Sequence, residues 1–445
     1  PLLTASKHLI PALLSTLPFG LTGAQQRVVK EISQDLSRPY PMQRLLQGDV
    51  GSGKTIVAML AALQAIEHGY QVAIMAPTEI LAEQHYQKML HWLAPLDIQV
   101  AWLSGSQGKK DRAASLEAIA SGDARLAIGT HALFQAQVQF NKLGLVVVDE
   151  QHRFGVEQRL SLRQKGQSDN VSAPHQLMMS ATPIPRTLSM SYFADLDVSV
   201  IDELPPGRTP IATKLVSDAR RDEIVDRVRA ACSQGAQAYW VCPLIEESEV
   251  LQLQTALDTF EHLQQTFPDL RVGLVHGRMK SAEKQAVMAE FSRGDLQLLV
   301  ATTVIEVGVD VPNASFMVIE HAERMGLSQL HQLRGRVGRG AAKSACILIY
   351  QTPLSETARA RLKIIYESND GFEIAQADLH LRGPGEFLGI RQSGTPMLKI
   401  ADLERDADLL EKAQALADDL LKNHPVEAQK HLDRWLSRGE ELVKV

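Results

Sequence analysis

The sequence predicts an α/β protein with two parallel-sheet domains in tandem, followed by a mainly helical C-terminal segment. Short, continuous apolar runs such as QVAIMAP (71–77), GLVVVDE (144–150) and ASFMVIE (314–320) end in polar residues, as strands buried on both faces of a parallel sheet do. Between the runs lie amphipathic stretches such as KTIVAMLAALQAIEHG (54–69), which has helical periodicity and stops at a glycine. In such sheets ligands bind beyond the carboxyl ends of the strands, where the polar residues are.

The alternation of strands and helices breaks once and later ends, which divides the chain into three. DELPPGRTP (202–210) has the proline and glycine content of a linker between domains. From residue 369 onward the strand-length runs disappear, and residues 402–441 are mostly charged and helical. We therefore predict a first domain at residues 1–207, a second at 208–368 and a C-terminal segment at 369–445. No short repeat is visible, although the two α/β halves are candidates for duplicates at the level of the fold.

Length and composition limit the function classes. The 445 residues are too many for one typical domain, and 45% hydrophobic and 22% charged residues are ordinary globular values. No run approaches the roughly 18 to 20 apolar residues of a membrane span. The three cysteines lack CxxC spacing, so we expect structural thiols rather than a zinc site. Because the sequence begins at Pro1 rather than Met, we expect a fragment of a longer chain.

The net charge of the chain does not indicate nucleic-acid binding. The net charge is −6, so any contact with nucleic acid depends on local basic patches. The candidates are Lys109, Lys110 and Arg112, and the arginines near 334–339.

GDVGSGKT (48–55) follows a short apolar run and precedes a helix, which is the context of a phosphate-binding loop. Its glycines allow backbone N–H groups to close around phosphates at a helix N-terminus. We expect Lys54 to reach the β- and γ-phosphates and Thr55 to place its hydroxyl on Mg²⁺. The other nucleotide-binding candidates in the loop are Gly48, Gly51, Ser52 and Gly53.

DEQH (149–152) stands at the end of another apolar run and completes an ATPase pattern. We expect Asp149 to hold Mg²⁺, directly or through water, and Glu150 to polarise the attacking water. A metal cluster of Asp149, Glu150 and His152 is the alternative, but HExxH and Cys/His spacings are absent. The ATPase interpretation is favoured.

LPFGLTGAQ (17–25) lies about 25 residues before the phosphate loop. Taken alone, it is an ordinary helix start capped by Thr22. Its position favours base recognition instead, with Phe19 and Gln25 as candidates, since the Gln25 amide can pair with an adenine edge.

QLRGRVGRG (332–340) carries Arg336 and Arg339 three residues apart, on one face if the segment is helical. Hydrolysis by a phosphate-loop site commonly needs a positive charge delivered from elsewhere. We expect both arginines to reach the γ-phosphate across a cleft; a solvated basic face is the alternative.

DLHLRGPGEFLGIRQSG (378–394) looks at first like a second glycine-rich phosphate cradle. Three residues rather than two separate Gly385 from Gly389, Pro384 lacks an N–H group, and no strand-length apolar run leads in. A hinged loop is the better interpretation, with packing of the segment on the second domain as the alternative.

The ordered motifs between residues 17 and 340 resemble those of superfamily 2 helicases. They are GDVGSGKT (48–55), APTEILAEQH (76–85), GTHAL (129–133), DEQH (149–152), SATPIPRT (180–187), LVHGRM (274–279), ATTVIEVGVDVPNA (301–314) and HQLRGRVGR (331–339). DEQH in place of DEAD argues against the RNA-helicase branch. DEQHRFGVEQR (149–159), IDELPPGRTP (201–210) and DLHLRGPGEFLGIRQSG resemble the RecG family of bacterial branched-DNA helicases.

The resemblance implies two tandem RecA-like domains and roles for residues whose motifs are too short to interpret alone. Gly308 and Asp310 would line the cleft near the nucleotide, and Ser180 and Thr182 would link hydrolysis to domain movement. Candidates to hold phosphates of the tracked strand, through hydroxyl or backbone contacts, are Thr78, Thr130, Thr302 and Thr303. The segment at 378–394 would be the translocation motif, with Arg382, Arg391 and Gln392 as mechanical contacts.

The resemblance also implies the activity and partners. The chain would be the motor of a monomeric, ATP- and Mg²⁺-dependent double-stranded DNA translocase that reverses stalled replication forks and branch-migrates Holliday junctions. The N-terminal wedge domain of the family would be absent, single-strand DNA-binding protein would be a partner, and the location would be the cytoplasm, at the nucleoid. The alternatives are a transcription–repair coupling translocase and a non-hydrolysing nucleotide switch that binds DNA.

Overall fold

The computed structural model describes residues 2–150, 173–181, 196–204, 210–242, 249–302, 311–338, 340, 343–382 and 405–436. Within them it has two parallel β-sheets with helices packed on their faces, and a helical C-terminal part. The predicted α/β fold class is confirmed. No helix in the described ranges is long and apolar enough to cross a membrane.

The first sheet has the strand order β3–β4–β2–β5–β6–β1–β7, and all neighbouring strands are parallel. Its strands are β1 (Gln43–Gly48), β2 (Gln71–Met75), β3 (Val100–Leu103), β4 (Leu126–Gly129), β5 (Leu143–Val148), β6 (His175–Ser180) and β7 (Asp197–Ile201). Its helices are α1 (Leu9–Thr16), α2 (Gly23–Leu36), α3 (Lys54–Glu67), α4 (Glu79–Leu93) and α5 (Lys109–Ser121). All residues of α3 from Ile56 to Ile66 are buried, so this helix is held firmly behind the phosphate loop.

The second sheet has the strand order β10–β11–β9–β12–β13–β8 and is also parallel throughout. Its strands are β8 (Ala212–Ser217), β9 (Gln237–Val241), β10 (Val272–Val275), β11 (Leu298–Ala301), β12 (Ala314–Ile319) and β13 (Ala345–Tyr350). The helices among them are α6 (Arg221–Ser233), α7 (Glu249–Thr266), α8 (Ser281–Ser292) and α9 (Leu327–Arg334). Two separate apolar clusters cover the two faces of this sheet.

Four helices follow the second sheet in the described part of the chain. They are α10 (Glu356–Glu367), α11 (Gly371–Arg382), α12 (Ala407–Asn423) and α13 (Pro425–Leu436). Helices α10 and α11 pack against each other and against α9, so this pair is attached to the second sheet. The sequence predicts no strands after residue 369, and nearly all described residues there are helical.

The two sheets repeat one connectivity. If β8 is placed on β1, β9 on β2 and so on to β13 on β6, the order 3–4–2–5–6–1 becomes 10–11–9–12–13–8. Only β7 lacks a counterpart among the described strands. The expectation that the two halves are duplicates at the level of the fold is confirmed in strand order.

Candidate functional site

The phosphate loop joins the carboxyl end of β1 to the first residue of α3. Gly51 and Gly53 have φ values of 79° and 89°, a region that side chains other than glycine disfavour. A Cβ atom on Gly48 would lie 2.5 Å from Oγ of Ser52, and one on Gly53 would collide with the amide of Gln25. The loop therefore approaches its surroundings at positions where only glycine fits.

Polar groups of the loop point to an anion. Gly53 precedes α3 without providing a side-chain cap, so the first N–H groups of the helix face the loop. Ser52 is fully buried, and among the described residues its Oγ has no hydrogen-bond partner. Nζ of Lys54 donates to the carbonyl oxygens of Gly48 (2.7 Å) and Asp49 (3.0 Å), while Thr55 is the second residue of the helix. This set of donors fits the phosphates of a nucleotide.

Asp149 and Glu150 follow β5, next to β2 in the sheet. Asp149 is 8% exposed, and its Oδ2 lies 2.8 Å from Nε2 of His85, which is on α4. Burial alone would raise the pKa of Asp149, but the hydrogen bond and charge of His85, together with the charge of Lys54, outweigh burial and lower it. Asp149 is therefore an ionised carboxylate, the form that binds a divalent cation.

Glu150 has a backbone conformation that is unusual for its residue type. Its φ is 50°, in the left-handed region, and its N–H group donates to Oδ1 of Asp149 (3.0 Å). Such conformations cost of order 1–3 kcal/mol and cluster at functional sites. The turn directs the side chain of Glu150 from the position next to Asp149.

Gln25 is connected to the phosphate loop rather than exposed to solvent. Its Oε1 accepts from the N–H of Thr22 and its Nε2 donates to the carbonyl of Ser52 (2.8 Å), and the residue is 3% exposed. Thr22 caps α2 in a capping box with Gln25, in agreement with the helix start expected from the sequence. Direct pairing of Gln25 with adenine stays a prediction, and so does base recognition by Phe19, which is 48% exposed.

The second domain contacts the phosphate loop directly. Nε2 of His331, on α9, lies 2.6 Å from Oδ1 of Asp49. A Cβ atom on Gly335 would lie 2.8 Å from Cβ of Val50, so the end of α9 packs tightly on the loop. Burial raises the pKa of Asp49, but His331 and the backbone N–H of Val50 outweigh burial and lower it. Arg336 directly follows Gly335 and is half-buried beside this contact.

The candidate DNA contacts differ in exposure. Thr78 caps α4 and its Oγ1 accepts from the N–H of Leu81, which leaves its O–H able to donate to a phosphate. Thr130, Ser180 and Thr302 are 2%, 1% and 5% exposed. All three residues are almost fully covered by their neighbours, so a contact of Thr130 or Thr302 with DNA stays a prediction.

Other predicted residues lie at the first basic patch or outside the described residues. Lys109 and Lys110 are exposed, whereas Arg112 donates to the carbonyl of Ser104 and to Oε1 of Gln135. The predicted residues outside the described ranges are Thr182, Thr303, Gly308, Asp310, Arg339, Arg391 and Gln392. Arg382 ends α11, but its side chain is also outside the description.

Sequence reasoning missed His85 and His331. Both are buried and contact acidic residues of the nucleotide site, over separations of 64 and 282 residues. The available signal was their position inside APTEILAEQH and HQLRGRVGR, two motifs already assigned to the site. Thr78, Arg336 and Arg339 in these motifs have side chains that can bind phosphate directly. The role of each histidine instead depends on a carboxylate that is distant in the sequence.

Comparisons with known proteins agree with this site. The DEAD/DEAH box helicase family matches residues 22–191, and the helicase conserved C-terminal domain matches residues 221–341. The C-terminal part of domain 3 of ATP-dependent DNA helicase RecG matches residues 368–441.

Individual relatives match almost the whole chain. ATP-dependent DNA helicase RecG of Escherichia coli (strain K12) is 61% identical over 439 residues, which cover 98% of this chain and 63% of the relative. The same helicase of Haemophilus influenzae is 58% identical, over 96% of this chain and 62% of the relative. The solved structure of RecG bound to a three-way DNA junction has a TM-score of 0.75 and 43% identity, over 92% of this chain and 53% of that one.

The chain thus spans less than two thirds of the length of these relatives. Within that span the similarity includes the phosphate loop, the arginine motif and the C-terminal segment. Its two sheets are those of the tandem RecA-like fold, and the chain belongs to the RecG family of superfamily 2 helicases.

Proposed function

We propose that this chain is the motor of an ATP-dependent DNA translocase that remodels branched double-stranded DNA, including stalled replication forks and Holliday junctions. The observation that carries the proposal is the contact of α9 with the phosphate loop, through His331 with Asp49 and Gly335 with Val50. The contact supports the proposal because His331 and Gly335 belong to the arginine motif, which a motor that closes around ATP must bring to its nucleotide site.

The residues of the first domain would hold the nucleotide. Backbone N–H groups of the phosphate loop and Lys54 would bind the phosphates, with Gln25 supporting the loop from behind. Thr55 and Asp149 would hold Mg²⁺, which when bound neutralises charge on the phosphate oxygens. Glu150 would orient and deprotonate the attacking water, and Arg336, with Arg339, would stabilise charge on the transferred phosphoryl group.

The residues that would bind DNA lie in both domains, so a change in their separation would move the duplex. Thr78 and Thr130 belong to the first domain, and Thr302 and Thr303 to the second. Contacts of this kind read the phosphate backbone, so we expect little sequence preference and a steep loss of affinity with salt. Arg382, Arg391 and Gln392 would transmit domain closure to the duplex.

The organisation that goes with this function is a first domain at 1–207, a second at 208–368 and a translocation segment at 369–445. The family matches at 22–191, 221–341 and 368–441 support these divisions. We further propose that the chain acts as a monomer at the nucleoid in the cytoplasm, with single-strand DNA-binding protein as a partner.

The proposal is tested by the rate of ATP hydrolysis with single-stranded, duplex, forked and four-way DNA. We expect duplex and branched DNA to stimulate turnover, and Lys54→Ala to abolish it, because Lys54 would bind the β- and γ-phosphates. Wild-type protein that binds ATP but shows no turnover with any of these DNAs would contradict the motor and favour the nucleotide switch. Displacement of a stalled RNA polymerase would instead favour the transcription–repair coupling translocase.

A further inference from the structure

A buried polar chain leads from the phosphate loop of the first domain into the second domain. His331 stands at its centre: Nε2 lies 2.6 Å from Oδ1 of Asp49, and Nδ1 lies 2.8 Å from NH2 of Arg334. His331 and Arg334 are 5% and 2% exposed. Both ring nitrogens of the histidine are therefore in contact with polar groups shielded from water.

The partner on one side fixes the direction of the hydrogen bond on the other. A guanidinium group has five N–H donors and no acceptor, so Nδ1 of His331 must accept from Arg334. The ring proton then lies on Nε2, and His331 donates to the carboxylate of Asp49. Rotation of the imidazole would break both hydrogen bonds, which makes the ring a rigid connector.

The histidine is anchored to the second domain and reaches into the first. NH1 of Arg334 donates to the carbonyls of Ile365 and Ser368 (both 2.8 Å). These carbonyls lie where α10 ends and the chain turns toward α11. A shift of Asp49 relative to the second domain is therefore opposed by bonds that extend to the α10–α11 pair.

Asp49 is also hydrogen-bonded to Lys54 and Ser52 of the phosphate loop. Its carbonyl accepts from Nζ of Lys54 (3.0 Å) and from the N–H of Ser52 (3.1 Å). Its Oδ1 accepts from the N–H of Val50 (2.6 Å) in addition to His331. Phosphate binding by Lys54 and Ser52 would change the surroundings of the backbone of Asp49, while its side chain is held by His331 of the other domain.

We propose that His331 is a positioning residue that couples the nucleotide site to the DNA affinity of the second domain through its hydrogen bond to Asp49. The inference rests on the proposed function. The bond forms only when α9 lies against the loop, so it favours one arrangement of the two domains over others. If nucleotide changes that arrangement, nucleotide and DNA must alter each other's affinity by the same factor.

The test measures the affinity for a three-way DNA junction with and without the non-hydrolysable ATP analogue AMP-PNP, in wild type, His331→Leu, Asp49→Ala and the double variant. His331→Gln, whose amide can accept from Arg334 and donate to Asp49, is the conservative variant, and His262→Leu, at an exposed position on α7, is the matched control. Wild type and the control should show a coupling factor of about 5- to 150-fold. We expect each single disruption to reduce it to less than about 3-fold, the double variant to show no further loss, and His331→Gln to retain most of it.

The inference is overturned if wild type shows coupling and His331→Leu or Asp49→Ala retains it, with the affinities for DNA and for AMP-PNP unchanged. Additive losses in the double variant would likewise overturn it, since the residues would then act separately. If His331→Leu does not fold, Asp49→Ala breaks the same bond from the more exposed side and decides the question. Coupling absent from a wild type that still hydrolyses ATP with DNA would reject this inference alone, whereas absent DNA-stimulated turnover would reject the proposed function.

Discussion

The two parallel sheets share one strand order, yet their carboxyl ends are built for different purposes. Even single hydrogen bonds correspond. Nε2 of Gln71, which begins β2, donates to one carbonyl near the end of α5 and to one just after that helix. Nε2 of Gln237, which begins β9, does the same at the end of α8. A glycine with positive φ, Gly69 or Gly235, stands two residues before each glutamine. The frameworks are thus closely alike, and any difference in function must lie in the connecting loops.

The loops after the corresponding strands differ in chemistry. In the first half, Lys54 begins the helix after β1 and Asp149 follows β5. In the second half, Arg221 begins the helix after β8 and Glu320 follows β12, but Nε of Arg221 lies 2.7 Å from Oε1 of Glu320. The indole N–H of Trp240 also donates to that oxygen (3.1 Å). Cation and acid satisfy each other in the second half, whereas the first half has a glycine-lined loop between them.

The backbone next to these acids corresponds as well. Glu150 and His321 each stand two residues beyond their strand, and their φ values are 50° and 48°. The left-handed turn thus belongs to the shared framework, and only the first half places a carboxylate on it. The shared sheet thus sets the positions from which these side chains project, while the composition of the loops decides whether they can bind nucleotide.

The largest effect is expected at Arg336, a residue of the second half that we propose acts at the nucleotide site of the first half. Arg336→Ala should slow DNA-stimulated ATP turnover by about 10³-fold or more, because the role proposed for the arginine is to stabilise charge that develops on the phosphoryl group. Affinity for ATP should remain nearly unchanged in equilibrium binding. Unchanged turnover would remove Arg336 from the site and leave the second sheet without a catalytic contribution through this residue.

The next effect is expected when the residue on each left-handed turn, Glu150 or His321, is replaced by glutamine. Glu150→Gln should reduce turnover by about 10²- to 10⁴-fold, because the amide cannot accept a proton from water. His321→Gln, the corresponding change in the second half, should leave turnover close to wild type. Steady-state rates and nucleotide affinities measured together decide the outcome, and loss of ATP binding in Glu150→Gln would mean that its role has been misassigned.

The smallest expected effect is on stability, and here the change in the second half should be the more damaging one. Arg221→Gln should lower the free energy of unfolding by about 1–3 kcal/mol, because Glu320 would lose its charged partner while remaining buried. Lys54→Ala should cost less, since His85 continues to pair with Asp149. Denaturant unfolding of both variants is the measurement; equal losses would show that the Arg221–Glu320 pair has no special structural role.

The sequence predicted most of the strands and the phosphate loop because their patterns are local. It missed β3, β7 and β8, which all lie at sheet edges. In β7 and β8 several side chains are exposed or half-buried, so neither strand reads as a continuous apolar run. The pairing of His85 with Asp149 and of His331 with Asp49 arises only when distant segments pack, and no spacing rule describes it.

The most direct test of the account is the number of nucleotides that the chain binds. Titration calorimetry with AMP-PNP and Mg²⁺ on wild type, Lys54→Ala and Arg221→Gln compares the corresponding positions of the two halves. We predict one nucleotide per chain for wild type and Arg221→Gln, and loss of binding in Lys54→Ala. Two nucleotides per chain, or loss of binding in Arg221→Gln with Lys54→Ala unaffected, would contradict the claim that only the first sheet carries the nucleotide site.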